Sequence, residues 1–583
     1  MKYLVLLICS FFTLNTFSQT DHRMSDAEKL QLPWYNQLRN STPSTASVTP
    51  PGSPLRTMAE WEELQGFLIA WKTYPAMLRE IVKAAKVETK VILLYEAPDS
   101  PTSITSYLAS GGVDTVNVQF VNTPLNSVWC RDYGPWSVYT NDVDTLLTID
   151  WIYNRPRPDD DAVPITVAGL LNSPLYQTTT APGDLVHTGG NFMCDGFGTG
   201  FSSNLILTDN SPAGGFNVSH TSVEIDTIMN QFMGISRYIK MNTLPYDQIH
   251  HIDMHMKLID EETLVMGQYP QGIADGPQIE ANLQYILSNY MSVYGTPYKV
   301  IRIPMPDDNG AYPNTSGDYF TYTNSSFINK TLIVPTYNIP EDSIALNIYR
   351  EALPGYTITG IVSTSSIPAL GALHCITKEL GVNDPLLISH QPYHNTYDTI
   401  NDYIINARIQ HRTGVASATL YYTIDTALGY TAVPMVSLAS QINHWGATIP
   451  AQPSGTRIYY YIEAQSVSGK TQVRPISAPA GYWKFDILAP TAVEENSFSI
   501  EMQPAYPNPS KGITCIPLSL STTQYITAAL YAVDGKKVTD IYTGEVQAGQ
   551  KNIFVNTINI SSGVYFIEIT TSENKYRQKL VVR

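Results

Sequence analysis

Cysteine is scarce in this sequence, and that scarcity makes one thiol conspicuous. Of five cysteines in 583 residues, Cys9 lies in an apolar N-terminal run, leaving Cys130, Cys194, Cys375 and Cys515. Four are too few for a disulfide scaffold. Cys375 sits in Gly371-Ala372-Leu373-His374-Cys375-Ile376-Thr377; a thiolate there would be a nucleophile, although the residue alone reads as a small buried hydrophobe. Asp132, in Trp129-Cys130-Arg131-Asp132-Tyr133-Gly134-Pro135, carries a carboxylate able to accept two parallel N–H bonds from a planar cation, and beside Arg131 it reads equally as half of a surface ion pair. His250-His251-Ile252-Asp253-Met254-His255 leaves two chemistries open. On a strand, His251, Asp253 and His255 would share a face and could hold a metal, as in a metallohydrolase. Against that, no HExxH or second paired motif accompanies them. His187 to Gly196 is a glycine-rich strand and turn that lets backbone approach a ligand, without the lysine of a phosphate loop. In Tyr153-Asn154-Arg155-Pro156-Arg157-Pro158 a proline holds two guanidinium groups apart, and the following Asp159-Asp160-Asp161 reads as a solvated loop, lacking calcium-loop spacing.

Positioning these residues requires alternating strands and helices. Phe67 to Trp71 reads as a strand, Leu78, Ile81, Val82 and Ala85 as one face of a helix, and Val91 to Tyr95 and Val116 to Phe120 as further strands. The order predicts an α/β domain. Beyond it, a helical pattern from Gln278 to Tyr290 precedes strands at Tyr298–Ile303 and Thr331–Val334, with a helix near Leu346–Ala352 and a strand at Tyr356–Val362. From about 384 to 488, alternating runs such as Thr419–Thr423 and Ile458–Ile462 predict an immunoglobulin-like β-sandwich.

Length and charge bound the function. The chain is long enough for several folded units, and we expect a signal peptide over 1–19, a linker or pro-segment over 20–54, a catalytic domain over 55–383, the sandwich over 384–488 and a β-rich terminal domain over 498–583. The signal peptide rests on Lys2 followed by the short apolar run Tyr3 to Phe12. No later run is long enough to cross a membrane as a helix. A formal charge of −16 disfavours nucleic-acid partners and suits attraction of cationic substrates.

Taken together, the Cys130–Pro135, His187–Asn191, His251–Asp253 and Cys375 motifs resemble, in their order, the bacterial peptidylarginine deiminase and agmatine deiminase family, over about Arg56 to Glu379. The resemblance implies a five-bladed α/β propeller, the pentein fold, and hydrolysis of a guanidinium to a ureido group and ammonia without a cofactor or metal. It implies that Cys375 attacks the guanidinium carbon, that Asp132 and Asp253 hold its nitrogens, that His251 moves protons, and that Asn324, in Phe320–Ser325, orients a member of the site. In the peptidylarginine branch, a match to Arg155-Pro156-Arg157 binds the carboxylate of a C-terminal arginine, so peptide or protein arginine is the expected substrate. Gly134-Pro135 looks nearer to the agmatine branch, which gives N-carbamoylputrescine. An adhesin whose enzyme-like domain has lost activity is a further alternative. The tail, with Tyr506-Pro507-Asn508-Pro509, Tyr531 to Lys537 and Gly563 to Ile567 before a basic terminus, resembles the C-terminal sorting domain of type IX secretion substrates. That resemblance implies export to the exterior or the cell surface by that machinery.

Overall fold

The computed structural model describes residues 22–41, 46–270, 275–306, 320–439, 441–489, 500–571 and 574–583. The expected signal peptide and most of the stretch between the expected domains of 384–488 and 498–583 lie outside them.

Residues 55–381 are built from one unit used five times. In each, a strand pairs antiparallel with the next, and a helix then carries the chain to a third strand parallel to the second. Met256–Leu258, Thr263–Gln268 and Lys299–Pro304, with helix Gly276–Asn289, make one such unit. Ser326–Ile328, Thr331–Thr336 and Thr357–Val362, with helix Pro340–Ala352, make another. The remaining units centre on the strands Leu146–Tyr153, Thr199–Ser203 and Leu64–Ala70. The last closes the ring of connectivity: Thr377–Gly381, from the end of the region, pairs antiparallel with Leu64–Ala70 at its start, Thr377 lying opposite Ile69. Local sequence explains the units. Leu64–Ala70 and Lys90–Tyr95 are nearly continuous apolar runs, as parallel strands covered on both faces must be. Between them helix Pro75–Ala85 buries Met77, Leu78, Ile81, Val82 and Ala85, an i, i+3, i+4 stripe, and begins on a proline whose missing N–H costs nothing there.

Two antiparallel sheets follow over 387–486, around Ile405, Leu420, Tyr460, Ile462 and Phe485. Two more form the end of the chain, around Ile516, Leu530, Ile567 and Leu580. No helix among the described residues is long and apolar enough to cross a membrane.

Three expectations need correction. Part of the 20–54 segment, expected to be a linker or pro-segment, is a helix, Asp26–Ser41, docked on the repeated units. Its start is a capping box: Ser25 Oγ accepts from Glu28 N at 3.2 Å, and the Glu28 carboxylate accepts from Ser25 N at 2.7 Å. Its anchor is Tyr35, fully buried against Ile152, Val186, Phe216 and Val218, with its hydroxyl donating to Asp161 at 2.7 Å. Burying one such side chain contributes ~1.5–3 kcal/mol. The triplet Asp159–Asp161 is likewise no solvated loop. It belongs to a short helix, Pro158–Asp161, where buried Asp160 accepts from Ser127 Oγ at 2.7 Å and from the backbone N–H groups of Asn126 and Ser127. Third, Ile252–Met254 is a tight turn rather than a strand, so His251, Asp253 and His255 do not line one face.

Candidate functional site

Each unit is entered through a short turn that ends just before its first strand, and each of these turns brings one residue or more to a common point. Cys130–Tyr133 carries Asp132, Gly189–Asn191 carries Gly190, and Ile252–Met254 is flanked by His251 and includes Asp253. Asn324 lies two positions before Ser326–Ile328, and His374–Ile376 carries Cys375. Asp132, His251, Asp253, Asn324 and Cys375 are all buried together. Sequence-distant residues meet there because the turns occupy equivalent places in repeated units.

Cys375 Sγ receives a hydrogen bond from Asn324 Nδ2 at 3.2 Å and lies 3.7 Å from Asp253 Oδ2. Burial, together with the negative charges of Asp253 and Asp132, pushes the thiol well up, only partly offset by the Asn324 bond. A cation is therefore needed to make the thiolate, and His251 does not supply it. Burial pushes that imidazole down to about 4, against the pull of Asp132 at 3.6 Å, so the ring is neutral at pH 7. Asp253 divides its two oxygens: Oδ2 accepts from His374 Nδ1 at 2.7 Å, while Oδ1 is buried with no hydrogen-bond partner among the described residues. A buried acceptor without a donor is a place for a ligand N–H.

Asp132 Oδ1 accepts from Gly190 N at 3.1 Å. A Cβ on Gly190 would lie 2.5 Å from His251 Nδ1, so only glycine fits between the carboxylate and the ring. Burial works against the ionised Asp132, but the neighbouring His22, His251 and Arg155 more than offset it and hold the carboxyl far below its usual range. Arg131 turns away from the site: its guanidinium pairs with Glu379 at 2.7 Å and donates to the His374 carbonyl at 3.2 Å. The surface ion pair that the Arg131-Asp132 sequence offered is therefore absent.

Residues outside the expected set complete the arrangement. Glu60 accepts from His374 Nε2 at 2.7 Å and pairs with Lys257 at 2.8 Å, so His374 is fixed between two carboxylates and in turn orients Asp253. Leu370 adopts left-handed backbone, φ 65°, an uncommon conformation for a branched residue, and its carbonyl faces into the site, where it meets His22. His22 is the largest omission. Its ring stacks on Trp129, centroids 4.3 Å apart, and its Nε2 lies 2.5 Å from Asp132 Oδ2. The capping box just after it was a legible signal for an ordered segment; nothing in the letters connected it to residues 110 positions away. Arg155 and Arg157 lie beside this segment: Arg155 Nε donates to the His22 carbonyl at 3.1 Å, and Arg157 Nε to Glu28 Oε1 at 2.7 Å. Among the described residues, the His and Asp side chains close enough to act as a ligand-like group are thus His22, Asp132 and His251, not the His251, Asp253 and His255 set.

The arrangement offers a thiol, two carboxylates facing the position of a cation, and a neutral imidazole able to carry a proton. Comparison with known proteins agrees with that chemistry. Residues 56–380, more than half of the chain, match the model of the Porphyromonas-type peptidyl-arginine deiminase, and residues 504–583 match that of the secretion-system C-terminal sorting domain. A protein of Latilactobacillus sakei named "Putative agmatine deiminase" is 23% identical over 369 residues, 58% of this chain and 98% of its own. One of Streptomyces coelicolor with the same name is 24% identical over 349 residues, 56% of this chain and 93% of its own. An X-ray structure of a protein so described is similar in fold, with a TM-score of 0.50 and 19% identity over 58% of this chain and all of that one. With the five turns delivering a thiol, paired carboxylates and an imidazole to one point, and the family model spanning all five, the chain belongs to the Porphyromonas-type peptidyl-arginine deiminase family and ends in a type IX sorting domain.

Proposed function

We propose that this is a secreted enzyme that hydrolyses the guanidinium of a C-terminal peptidyl arginine to the ureido group of citrulline, releasing ammonia. The observation that carries the reading is the surroundings of Cys375 Sγ: a donor from Asn324 at 3.2 Å and a carboxylate of Asp253 at 3.7 Å, with the second Asp253 oxygen unpartnered. The carboxylates that hold the thiol neutral are the groups a guanidinium neutralises on binding. Substrate therefore switches on its own nucleophile.

Asp132 and Asp253 accept the guanidinium N–H groups. His251 takes the thiol proton as Cys375 attacks the central carbon, and returns it to the departing nitrogen as the C–N bond breaks, giving ammonia and a thiouronium on Cys375. His251 then takes a proton from water as its oxygen attacks the same carbon; the C–S bond breaks with that proton returned from His251 to the sulfur, the added hydroxyl gives its proton to the released ammonia, and the ureido product leaves. The five repeated units support the five-bladed propeller reading, and the paired antiparallel sheets over 387–486 support the immunoglobulin-like one. In this reading 55–383, 384–488 and 498–583 are separate domains, and the terminal one directs the protein to the type IX machinery.

Arg155 and Arg157 support a substrate carrying an anion near its arginine, since a guanidinium fork recognises a carboxylate through two parallel bonds. The naming of relatives as agmatine deiminases favours agmatine as the second reading. A ureido colour assay on a peptide ending in arginine, the same peptide amidated, and agmatine separates the two. We expect turnover of the free-acid peptide to exceed both others and to vanish in Cys375→Ala. Preferred turnover of agmatine replaces the peptide reading, and turnover surviving in Cys375→Ala removes the thiol mechanism. Sensitivity to a chelator but not to thiol alkylation would mark a metallohydrolase, and inertness to every guanidino substrate, in His22→Ala as in the wild type, an adhesin.

A further inference from the structure

The site just described is closed, and what closes it is the chain's own N-terminal segment. His22 is completely buried at its centre. Its ring is a flat group with an N–H position on each side, and both positions face acceptors: Asp132 Oδ2 at 2.5 Å from Nε2 and the Leu370 carbonyl at 2.9 Å from Nδ1. A carbonyl and an ionised carboxylate only accept, so the doubly protonated ring satisfies both at once. A planar cation held against Asp132 is what a guanidinium would be. The ring also stacks on Trp129 with planes 11° apart and meets His251 edge-on, centroids 5.0 Å apart. Further out, Glu28 brings a carboxylate to Arg157 at 2.7 Å, and the His22 carbonyl takes Arg155 Nε at 3.1 Å. The segment thus presents a cation to Asp132, an anion to Arg157 and a carbonyl to Arg155, in the arrangement proposed for a peptide ending in arginine.

We propose that residues 22–41 are a built-in pseudosubstrate, with His22 standing in for the guanidinium and Glu28 for the carboxylate, and that the enzyme is latent until this segment leaves. The inference rests on the deiminase reading of the site. Independent contacts hold the segment without blocking anything: Tyr35 to Asp161 at 2.7 Å, Asn36 Nδ2 to the Gly215 carbonyl at 2.8 Å, and Arg39 to the Phe216 carbonyl at 3.1 Å. These anchor the helix on the outside of the domain, and keep His22 tethered at the high effective concentration of an intramolecular ligand. Cys375 and Asp132 cannot meet a substrate guanidinium while the ring is there, because the same Asp132 oxygen cannot serve both.

The test uses the full chain and two readouts. The first is the rate of Cys375 alkylation by iodoacetamide, followed by peptide mass spectrometry with buried Cys130 and Cys194 as internal controls of the fold. The second is kcat/KM for a peptide ending in arginine and for agmatine. We expect His22→Ala, and separately Glu28→Gln, to raise both readouts by roughly tenfold or more, the scale of one lost charge-assisted hydrogen bond, with Cys130 and Cys194 unchanged. Equal alkylation of Cys375 in the wild type and both variants overturns the proposal, as does full wild-type turnover that neither variant improves. If alkylation accelerates but no variant hydrolyses any guanidino substrate, the plug stands and the substrate reading fails.

Discussion

Asn324 serves Cys375 from both ends of its amide: Nδ2 donates to the thiol sulfur at 3.2 Å, while Oδ1 accepts from the backbone N–H of His374 at 3.0 Å and lies 3.4 Å from that of Cys375. One side chain therefore sets both the position of the turn that carries the nucleophile and the electrostatics of its sulfur. Asn324→Ala removes the donor and strips buried N–H groups of an acceptor, a loss of about 1–3 kcal/mol. We expect kcat to fall roughly ten- to a hundredfold by that measure. Asn324→Asp keeps the shape but adds a third carboxylate beside the thiol, which raises its pKa further. In the His22→Ala background, iodoacetamide should alkylate Cys375 more slowly in Asn324→Asp than with Asn324 in place. Equal rates would show that the contact is steric only.

His251 provides a prediction in pH. Burial, and to a lesser degree the neighbouring His22, push its ring down to about 4 despite Asp132. The folded chain then binds fewer protons at this ring than the unfolded one, so its contribution to stability is full above the unfolded value of 6.5 and is lost as pH falls toward 4. Displacing the segment removes one downward cause and weakens the other by admitting water. In His22→Ala the His251 resonance should titrate at a higher pH, moving toward 6.5, in a histidine NMR titration. A midpoint that stays near 4 would mean that the site remains dry without the segment.

Arg155 and Arg157 should separate peptide from amine substrates. Measured in the His22→Ala background, so that release of the plug does not mask the effect, Arg155→Ala and Arg157→Ala should lower kcat/KM for a peptide ending in arginine by roughly ten- to a hundredfold, the value of a charge-assisted bond. Agmatine has no carboxylate, and its hydrolysis should stay level or improve. Unaltered peptide turnover in both variants would remove the arginines from substrate recognition.

The terminal domain predicts a fate rather than a rate. Its two sheets have their own core around Ile516, Leu530 and Leu580, separate from the clusters that surround the site. In the His22→Ala background, truncation before residue 500 should leave hydrolysis intact in a cell extract but keep the protein within the cell envelope, as followed by fractionation. Secretion of the truncated chain at the normal level would contradict the sorting role.

Local patterns in the sequence were sufficient for the strands and helices of 64–95, 276–304 and 331–362, whereas Asp132, His251, Asp253, Asn324 and Cys375 were singled out through the resemblance that their motifs carry. A parallel strand pair declares itself in a continuous apolar run, and a helix in an apolar stripe. The fivefold repeat was not visible, because what recurs is hydrogen-bond topology and turn placement, which many unrelated side chains satisfy. The strand reading of His251–His255 failed for a related reason: alternation cannot distinguish a strand from a tight turn that buries most of its side chains. Only the tertiary structure decided the partners of each charged group. It paired Arg131 with Glu379 rather than Asp132, buried Asp160 under Ser127, and gave His374 its place between Asp253 and Glu60. It also decided the fate of residues 22–41. Their serine, threonine and proline neighbours resemble a linker in composition, whereas the contacts of His22 with Asp132 and of Glu28 with Arg157 join positions more than a hundred residues apart. Such long-range contacts leave no periodicity in the chain, because they depend on where the fold brings two surfaces together.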